Sequence, residues 1–369
     1  AHEIGYPVLI RPSYVLGGRG MEILSNDKQL EAYMEEAYLA PDRPLLIDEY
    51  LGNAIELDVD AVCDGEEVLV GAIMEHLEEA GIHSGDSTCF IPPQNVPAHV
   101  LAEVEDWTRI IGVELGIRGC YNIQFAIRDE VLHVLEVNPR GSRTFPFVAK
   151  ATGVPLARIA ARLALGEKLS ELNVPEPQTE AVCVKAPVFP FIKLRGLDPA
   201  PGPEMKSTGE VMGSHARPAA AYLKARLATE LPVPVEGGVY ITVKDGDKLA
   251  IIDEARRLQE MGFTLYATRG TAHVLRDVGE LDVRTCYRIA ERRSPDALDL
   301  MRQGNIHLVI NTPRLTGGAV LDGNMMRRLA VELNIPFVTT MAGAHMEVEA
   351  IGEAMNGMPE PRLLEISSL

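Results

Sequence analysis

The amino-acid sequence predicts two folds in series: an α+β domain over residues 1–168 and a doubly wound α/β domain over residues 237–369. Two observations support this prediction. The first stretch combines antiparallel hairpin patterns with helices, whereas the last repeats short apolar strands that are each followed by a helical pattern. Between them, residues 169–236 are rich in proline and glycine, and we expect this stretch to extend the first domain and connect it to the last.

The elements of the first domain follow from side-chain periodicity. Apolar and acidic residues alternate strictly at 55–63, which predicts a strand with one apolar and one acidic face. The acidic face holds Glu56, Asp58 and Asp60, and its simplest interpretation is a solvated face. In chain order, we expect strands at 7–11, 45–49, 55–63, 68–75, 121–128 and 131–138 and helices at 27–38 and 98–115.

The last domain alternates strands and helices along its length. Short apolar segments predict the strands, and the amphipathic segments after them predict the helices. Because each strand is followed by a helix, we expect a largely parallel sheet with helices on both faces. The strands are expected at 239–243, 264–267, 306–310 and 337–338 and the helices at 248–261, 271–278, 323–333 and 345–355.

The composition excludes several classes of function. A formal net charge of −18 argues against nonspecific nucleic-acid binding, which requires a basic surface. Five scattered cysteines without a CxxC pair argue against a zinc site or a disulfide framework and favour a reducing cytoplasm. No apolar run approaches the roughly 20 residues of a membrane-spanning helix, so no membrane association is expected. Because an apolar segment follows almost directly on Ala1, we expect the chain to be part of a longer protein.

A glycine-rich loop after the first strand is a candidate phosphate-binding element. Residues 11–20 read Arg-Pro-Ser-Tyr-Val-Leu-Gly-Gly-Arg-Gly. Glycines allow backbone N–H groups to approach phosphate oxygens, and Arg11 and Arg19 add positive charge at the two ends. A flexible hairpin tip is the alternative interpretation of this loop.

A second constellation lies on the last predicted hairpin of the first domain. Glu136 and Asn138 are two residues apart on one strand, so their side chains share a face, and Gln124 lies within the neighbouring strand. Oxygen ligands of this kind suit Mg²⁺ that bridges the phosphates of ATP. Arg140 and Arg143 follow and can neutralise a transferring phosphoryl group. The alternative is a solvated sheet face with salt bridges.

Four segments resemble the large subunit of carbamoyl-phosphate synthetase, in its second ATP-grasp half. They are RPSYVLGGR at 11–19, EHLEEAGIHSGD at 75–86, EVNPR at 136–140 and GPEMKSTGEVMG at 202–213. The E-x-N-P-R pattern is shared by many ATP-grasp enzymes, whereas its combination with the second segment is specific to this family. The resemblance implies an α+β ATP-grasp domain that lacks its amino-terminal subdomain and is therefore catalytically crippled when alone.

The resemblance also implies roles for individual residues. The ligands of Mg²⁺ or Mn²⁺ would be Gln124, Glu136 and Asn138. The catalytic arginines would be Arg19, Arg140 and Arg143. The ATP contacts would be Arg11, Glu49, Leu51, Glu56, Gly81, Ile82, His83, Ser84, Gln124 and Glu136. Glu49 stands where family members often carry His, and an ordinary loop histidine is the alternative for His83.

By this resemblance the chain would use ATP to phosphorylate carbamate to carbamoyl phosphate, which feeds pyrimidine and arginine synthesis. Carbamate is already ionised, so no general base is needed, and magnesium and arginine would reduce the repulsion between the two anions. The partners would be the glutamine amidotransferase small subunit and the amino-terminal half of the large subunit.

Polar residues follow the predicted strands of the last domain, at 244–246, 268–271, 311–314 and 339–340. The carboxyl ends of parallel strands meet at the edge where such folds bind ligands. Residues 268–271 also open a helix, whose free N–H groups suit a phosphate. Ordinary helix capping explains each loop alone, whereas we expect the four loops together to form a pocket.

The last domain resembles the methylglyoxal-synthase-like domain that closes the same large subunits and binds allosteric nucleotides. The contacts to uridylate or inosinate would be Lys248, Thr268, Thr271, Arg288, Asn311 and Thr312. Arg288 stands where lysine is usual, and Pro313 replaces a hydroxyl residue. These two departures leave the nucleotide preference open.

Ornithine, an activator of some relatives, would lie between the domains. Its contacts would be near Glu78, Asp86 and Thr339. Ala186 replaces an acidic contact expected there, which disfavours ornithine.

Three other functions remain open from the sequence. The first is a nucleotide-binding regulatory module whose first domain does no chemistry. The second is a different ATP-grasp enzyme, such as a biotin carboxylase relative, and the third is a methylglyoxal synthase. The nucleotide-sensing last domain disfavours the second, and the long first domain disfavours the third. Magnesium-dependent ATP binding in the first domain separates the regulatory module from the ligase.

Overall fold

The computed structural model describes residues 1–13, 20–36, 44–52, 54–190, 198–312 and 318–357. The glycine-rich loop, including Arg19, lies almost entirely outside these residues, as do Pro313 and Arg314. In the described part of the chain, no helix is long and apolar enough to cross a membrane.

A small antiparallel sheet opens the chain. Its strand order is β2-β1-β3, and helix α1 packs its Tyr33 into the same small core as Val8, Ile10 and Leu24. The elements are β1 (Val8–Pro12), β2 (Glu22–Leu24), α1 (Asp27–Glu36) and β3 (Leu45–Glu49).

A seven-stranded sheet follows, in the order β10-β9-β6-β5-β4-β7-β8, and all its neighbouring strands are antiparallel. Two of its strands come from the proline-rich stretch 169–236. This stretch therefore contributes to the sheet of the first domain as well as connecting that domain to the last one. Its strands are β4 (Ile55–Asp64), β5 (Val68–Glu79), β6 (Cys89–Ile91), β7 (Arg118–Arg128), β8 (Val131–Asn138), β9 (Val182–Val188) and β10 (Gly209–His215). Its helices are α2 (Ala98–Glu114), α3 (Phe145–Thr152), α4 (Leu156–Ala164) and α5 (Pro218–Ala228).

The acidic face of β4 is not solvated, so that interpretation of the sequence was wrong. Glu56, Asp58 and Asp60 are at most 2% exposed. The apolar face of β4 packs against α2. On the acidic face, the loop before α3 hydrogen-bonds Asp60, and His76 lies between Glu56 and Asp58. Alternation therefore marked two buried faces, one apolar and one polar.

The last domain is a five-stranded parallel sheet in the order β13-β12-β11-β14-β15, which confirms the doubly wound prediction. The chain moves outward from β11 in one direction and then returns to add β14 and β15 on the other side, so one apolar cluster forms on each face. The strands are β11 (Gly238–Thr242), β12 (Thr264–Thr268), β13 (Val283–Cys286), β14 (Leu308–Asn311) and β15 (Phe337–Val338). The helices are α6 (Ile251–Glu260), α7 (Arg269–Asp277), α8 (Ala297–Arg302), α9 (Gly318–Glu332) and α10 (Met341–Met355).

Several element ends differ from the sequence prediction. Helix α10 begins at Met341 rather than at 345, because the Thr340 hydroxyl accepts a hydrogen bond from Gly343 N at 3.0 Å and caps the helix there. Strand β5 continues past 75 to Glu79. Strands β2, β6, β9, β10 and β13 and helices α3, α4, α5 and α8 had no counterpart among the predicted elements.

A buried ion pair joins the two domains where α5 meets α10. The Arg226 guanidinium contacts the Glu347 carboxylate at 3.1 and 3.3 Å, and the Tyr222 hydroxyl donates to the same carboxylate at 2.8 Å. Glu347 is fully buried. A second, exposed pair between Arg217 and Glu353 lies on the same two helices.

Candidate functional site

The predicted metal ligands lie together on neighbouring strands β7 and β8. Gln124 and Glu136 are direct cross-strand partners, and the Asn138 amide donates to Glu136 Oε1 at 2.8 Å. The Gln124 amide donates to Ser84 Oγ at 2.8 Å, which brings the loop at 81–84 to the same place. Cross-strand partners have side chains on one face, so three oxygen-bearing groups converge as the spacing indicated.

The loop at 81–84 is fixed at both ends. Gly81 N donates to Glu56 Oε2 at 3.3 Å, and Gly85 N donates to His83 Nδ1 at 3.0 Å. Burial lowers the pKa of His83, so its ring is neutral at pH 7. Because Nδ1 accepts, Nε2 carries the ring proton. The histidine therefore does more than occupy a loop, since it caps the 3-10 turn Ser84–Asp86.

An apolar patch of small side chains lies next to this loop. Ala54, Ala80 and Ala126 are buried, and Leu51 and Leu135 pack against them. Small flat apolar surfaces of this kind suit a planar ring. Leu51, one of the predicted ATP contacts, therefore belongs to an apolar surface of the kind that a planar ring can pack against.

The predicted contacts on the small sheet have their charges engaged by protein groups. Arg11 Nε donates to Asp48 Oδ2 at 2.6 Å on the neighbouring strand. Glu49 Oε1 lies 3.0 Å from Arg128 Nη2, which joins the small sheet to the large one. Both side chains are partly exposed, so the exchange of these partners for a ligand has a modest cost.

The two described arginines follow strand β8. Arg140 is exposed, and its Nη2 donates to Asn138 Oδ1 at 3.3 Å. Arg143 Nη1 donates to Ser207 Oγ at 2.9 Å and passes close to Gly85, where an added Cβ would lie 3.1 Å from that nitrogen. Arg143 is thus held beside the loop at 81–84.

Sequence reasoning missed the buried polar groups that support this site. Asp60 accepts hydrogen bonds from Ser142 Oγ at 2.7 Å, Thr144 Oγ1 at 2.7 Å and Asn122 Nδ2 at 2.9 Å. Burial raises the pKa of Asp60 to about 6, so it is largely ionised at pH 7 and anchors the loop at 139–144 that carries Arg140. The two hydroxyl residues Ser142 and Thr144, which follow the E-x-N-P-R segment closely, were the feature of the sequence that could have indicated these contacts.

Two further buried ionisable groups line the polar face of β4. His76 lies between Glu56 and Asp58, with ring nitrogens 3.7 and 3.6 Å from their carboxylates. Burial raises the pKa of Glu56 to about 7. Lys185, 1% exposed, donates from Nζ to Ser84 O at 3.0 Å. A lysine inside the apolar run 182–188 was a signal that sequence reasoning passed over.

The donor set fits magnesium. One carboxylate and two amide oxygens are hard ligands, and Mg²⁺ typically takes one or two carboxylates together with water and substrate phosphates. Among the described residues, no group of three or more His, Cys, Asp or Glu side chains could hold a metal ion. Glu136 is the acidic member of this set, with Gln124 and Asn138 beside it.

The second candidate site is a cavity of about 230 Å³ at the carboxyl edge of the parallel sheet. All six residues predicted to bind the effector line it: Lys248, Thr268, Thr271, Arg288, Asn311 and Thr312. Additional lining residues that sequence reasoning did not assign include Lys244, Arg269 and Asp322. Thr339 and Thr340, expected in the pocket, are absent from its described lining, and the Thr340 hydroxyl caps α10.

The cavity has the features of an anion site. Helix α7 opens at Arg269, and the preceding Thr268 makes no side-chain cap hydrogen bond. The Thr268 side chain therefore does not cap the N–H groups at the start of α7, where anions bind in many proteins. Lys248 Nζ lies 2.6 Å from Asp245, and Arg288 lies 3.6 Å from Asp322, so each cation is held near the cavity.

The comparisons with known proteins match a family model to each of the two predicted folds. A family model described as carbamoyl-phosphate synthase L chain, ATP binding domain, matches residues 1–172, and a model described as MGS-like domain matches residues 250–339. The carbamoyl phosphate synthase large chain of Methanothermobacter thermautotrophicus is 50% identical over 356 residues, which cover 95% of this chain and 33% of that relative. The carbamoyl phosphate synthase large chain, C-terminal section, of Methanocaldococcus jannaschii is 49% identical, covering 97% of this chain and 59% of that relative.

Among solved structures, the biotin carboxylase domain of the Hydrogenobacter thermophilus 2-oxoglutarate carboxylase superposes with a TM-score of 0.50 at 20% identity. The match covers 62% of this chain and 58% of that one, and it concerns the fold alone. The chain spans less than two thirds of the length of the relatives described above. The matches agree with the two folds predicted from the sequence.

Proposed function

The chain belongs to the carbamoyl phosphate synthase large-chain family of ATP-grasp ligases, and from this premise we propose that its first domain transfers a phosphoryl group from MgATP to carbamate. The observation that carries the proposal is the convergence of Gln124, Glu136 and Asn138 beside the loop at 81–84. The related biotin carboxylase domain was solved with MgADP and bicarbonate.

The chemistry requires positioning and charge neutralisation rather than proton transfer. A carbamate oxygen would attack the γ-phosphorus, the bond to the β,γ-bridging oxygen would break, and ADP would leave. No proton moves, because carbamate is already an anion. In-line attack of one anion on another is slow unless positive groups surround the transferring phosphoryl group.

The residues of this chain would divide that work. Glu136, Gln124 and Asn138 would hold Mg²⁺, which supplies charge neutralisation at the phosphates. Mn²⁺, which also accepts oxygen ligands, would be held by the same residues. Arg140 and Arg143 would face the phosphoryl oxygens, and Arg143 is already held near its place by Ser207. The apolar patch around Leu51 would take the adenine ring.

The last domain would bind a nucleotide effector. A phosphate placed at the start of α7 would meet Thr268, Thr271 and Lys248, and Arg288 lines the same cavity. Uridylate and inosinate both carry such a phosphate. Ornithine is not proposed, since Asp86 is fully buried and already accepts two backbone hydrogen bonds.

The longer context is also part of the proposal. Synthesis of carbamoyl phosphate from glutamine would require a glutamine amidotransferase subunit and the other half of a large chain as partners. The setting would be the cytoplasm, where the product serves pyrimidine and arginine synthesis.

The proposed reaction is tested in reverse. We expect the chain to form ATP from ADP and carbamoyl phosphate, slowly but only with Mg²⁺, as followed by a luciferase assay. Chelation with EDTA should abolish the signal, and its return on adding Mg²⁺ controls for irreversible loss. No ATP above a sample without carbamoyl phosphate, combined with intact uridylate binding, would leave the regulatory module as the function.

Removal of the Lys248 charge tests the effector site. Lys248→Met is expected to weaken uridylate binding by about 10- to 100-fold, because a charge-assisted hydrogen bond contributes about 1.5–3 kcal/mol. Isothermal titration calorimetry measures this affinity. Lys28→Met removes an exposed lysine of α1 and should leave the affinity unchanged. Equal affinities in the two variants would contradict the assignment.

A further inference from the structure

Arg327, on helix α9, reaches from the effector cavity into the first domain. Its guanidinium Nη1 donates to Asn311 Oδ1 at 2.5 Å, and Asn311 lines the cavity. On its other side, Nε and Nη2 donate to the two carboxylate oxygens of Asp198 at 2.9 and 2.5 Å. Arg327 is only 2% exposed. One buried guanidinium therefore connects a cavity residue to the segment between strands β9 and β10 of the first domain.

The helix provides room for this arrangement at Gly323. An added Cβ at Gly323 would lie 2.8 Å from Arg327 Nη1 and 3.4 Å from Asn311 Oδ1. The first distance is well inside van der Waals contact, so a larger residue would displace the guanidinium. Gly323 also lines the effector cavity, which places Arg327 directly behind its wall.

The contact with Asp198 is a full ion pair. Burial opposes ionisation of this carboxyl, but the hydrogen bonds and charge of Arg327 lower its pKa below the ordinary value. Two-point contacts between arginine and a carboxylate are among the strongest and most directional hydrogen bonds in proteins. A rearrangement of Arg327 therefore moves Asp198 with it.

Hydrogen bonds connect the segment after Asp198 to the loop of the candidate phosphotransfer site. Lys206 Nζ donates to the backbone oxygens of Asp198 and Ala200, at 3.1 and 2.5 Å. The backbone N–H groups of Lys206 and Ser207 donate to the two carboxylate oxygens of Asp86, at 2.8 and 2.9 Å. Asp86 is fully buried, and it ends the 3-10 turn that follows His83.

The same segment contacts the candidate phosphotransfer residues directly. Ser207 Oγ donates to Gly85 O at 2.8 Å and accepts from Arg143 Nη1 at 2.9 Å. His83 N donates to Gly202 O at 2.9 Å. Each step from Asn311 to His83 is thus a hydrogen bond or a short stretch of backbone.

We infer that the Arg327–Asp198 pair couples the effector cavity to the loop at 81–86, with Arg327 as a positioning residue. Arg327 shares its donors between Asn311 and Asp198, so a ligand that hydrogen-bonds Asn311 changes how firmly Asp198 is held. This inference rests on the proposed effector site and adds its route to the phosphotransfer site. Coupling between two sites is reciprocal. The factor by which the effector changes nucleotide affinity at the loop should therefore equal the factor by which the nucleotide changes effector affinity.

Hydrogen–deuterium exchange of the 369-residue chain tests the coupling. Saturating uridylate is expected to slow exchange at 268–271 and to change the exchange rate at 81–86 by about tenfold, within the range usual for coupled sites. In Asp198→Asn, which keeps the size but removes the charge, the response at 268–271 should remain. The response at 81–86 should fall below about twofold.

Two further variants make the result decisive. Glu353→Gln removes the exposed interdomain pair with Arg217 and should respond to uridylate as the wild type does. Arg327→Lys keeps the charge but loses the two-point contact, and it replaces Asp198→Asn if that variant does not fold. A wild-type response at 81–86 in the variant that folds would overturn the inference.

The inference and the proposed function fail in different ways. Protection at 268–271 without any change at 81–86 in the wild type overturns the coupling and leaves the effector site intact. No protection at 268–271 contradicts the effector site. In that case the coupling is overturned as well, because a cavity that takes no ligand has nothing to transmit to the loop at 81–86.

Discussion

Replacing Glu136 by glutamine is expected to lower Mg²⁺-dependent ATP formation from ADP and carbamoyl phosphate by about 1,000-fold, or ~4 kcal/mol. Glu136 supplies the negative charge of the proposed metal site, whereas Gln124 and Asn138 supply neutral oxygens. Glutamine keeps the size of the side chain and an oxygen that can accept from Asn138. The expected loss therefore reports on charge at the metal and not on the packing of strand β8.

The matched control for this experiment lies on the same hairpin. Glu130 occupies the turn between β7 and β8, and its side chain is 71% exposed. Glu130→Gln should leave the rate within about twofold of wild type, since exposed charges contribute little. Retention by Glu136→Gln of a tenth or more of the wild-type rate would contradict the assignment of Glu136 to the metal.

Replacing Glu347 by alanine is expected to destabilise the chain by about 3–5 kcal/mol, because it leaves the Arg226 charge buried and unpaired. The Tyr222 hydroxyl also loses its acceptor; burial raises the pKa of Tyr222 well above its ordinary value, so the phenol stays protonated. Glu347 is fully buried between α5 and α10. Urea unfolding followed by circular dichroism measures the free energy of unfolding.

Glu353→Ala provides the comparison for Glu347. It removes the same atoms from the same helix, but its partner Arg217 is 63% exposed, so the expected loss is below about 1 kcal/mol. If the two variants are destabilised equally, the buried pair is not what joins the domains. A broadened or two-step transition in Glu347→Ala alone would indicate that the domains then unfold separately.

The sequence predicted that Gln124, Glu136 and Asn138 lie together, because their arrangement is local. A two-residue spacing puts Glu136 and Asn138 on one face, and a short turn fixes the partner strand that carries Gln124. The parallel sheet of the last domain was predicted for the same reason. Each strand–helix unit is contiguous, and the carboxyl edge of such a sheet is known once the strands are known.

The sequence did not predict the supporting contacts, because they join distant segments. Asp60 is bonded by Ser142 and Thr144, which are 82 and 84 residues away. Alternation of apolar and polar residues indicates only that the two faces of a strand differ. It does not show whether the polar face meets solvent or packs against other polar groups of the protein. Asp198 and Arg327 are 129 residues apart, and Asp198 lies within the proline-rich stretch 169–236, whose strands are hidden by its composition.

The most direct test of the central claim is the magnesium dependence of ADP binding, measured by titration calorimetry with uridylate present to saturate the last domain. The account predicts that Mg²⁺ tightens ADP binding by about tenfold or more and that Glu136→Gln abolishes this effect. ADP that binds equally well without Mg²⁺, or a magnesium effect that persists unchanged in Glu136→Gln, would contradict a phosphotransfer site built on Gln124, Glu136 and Asn138.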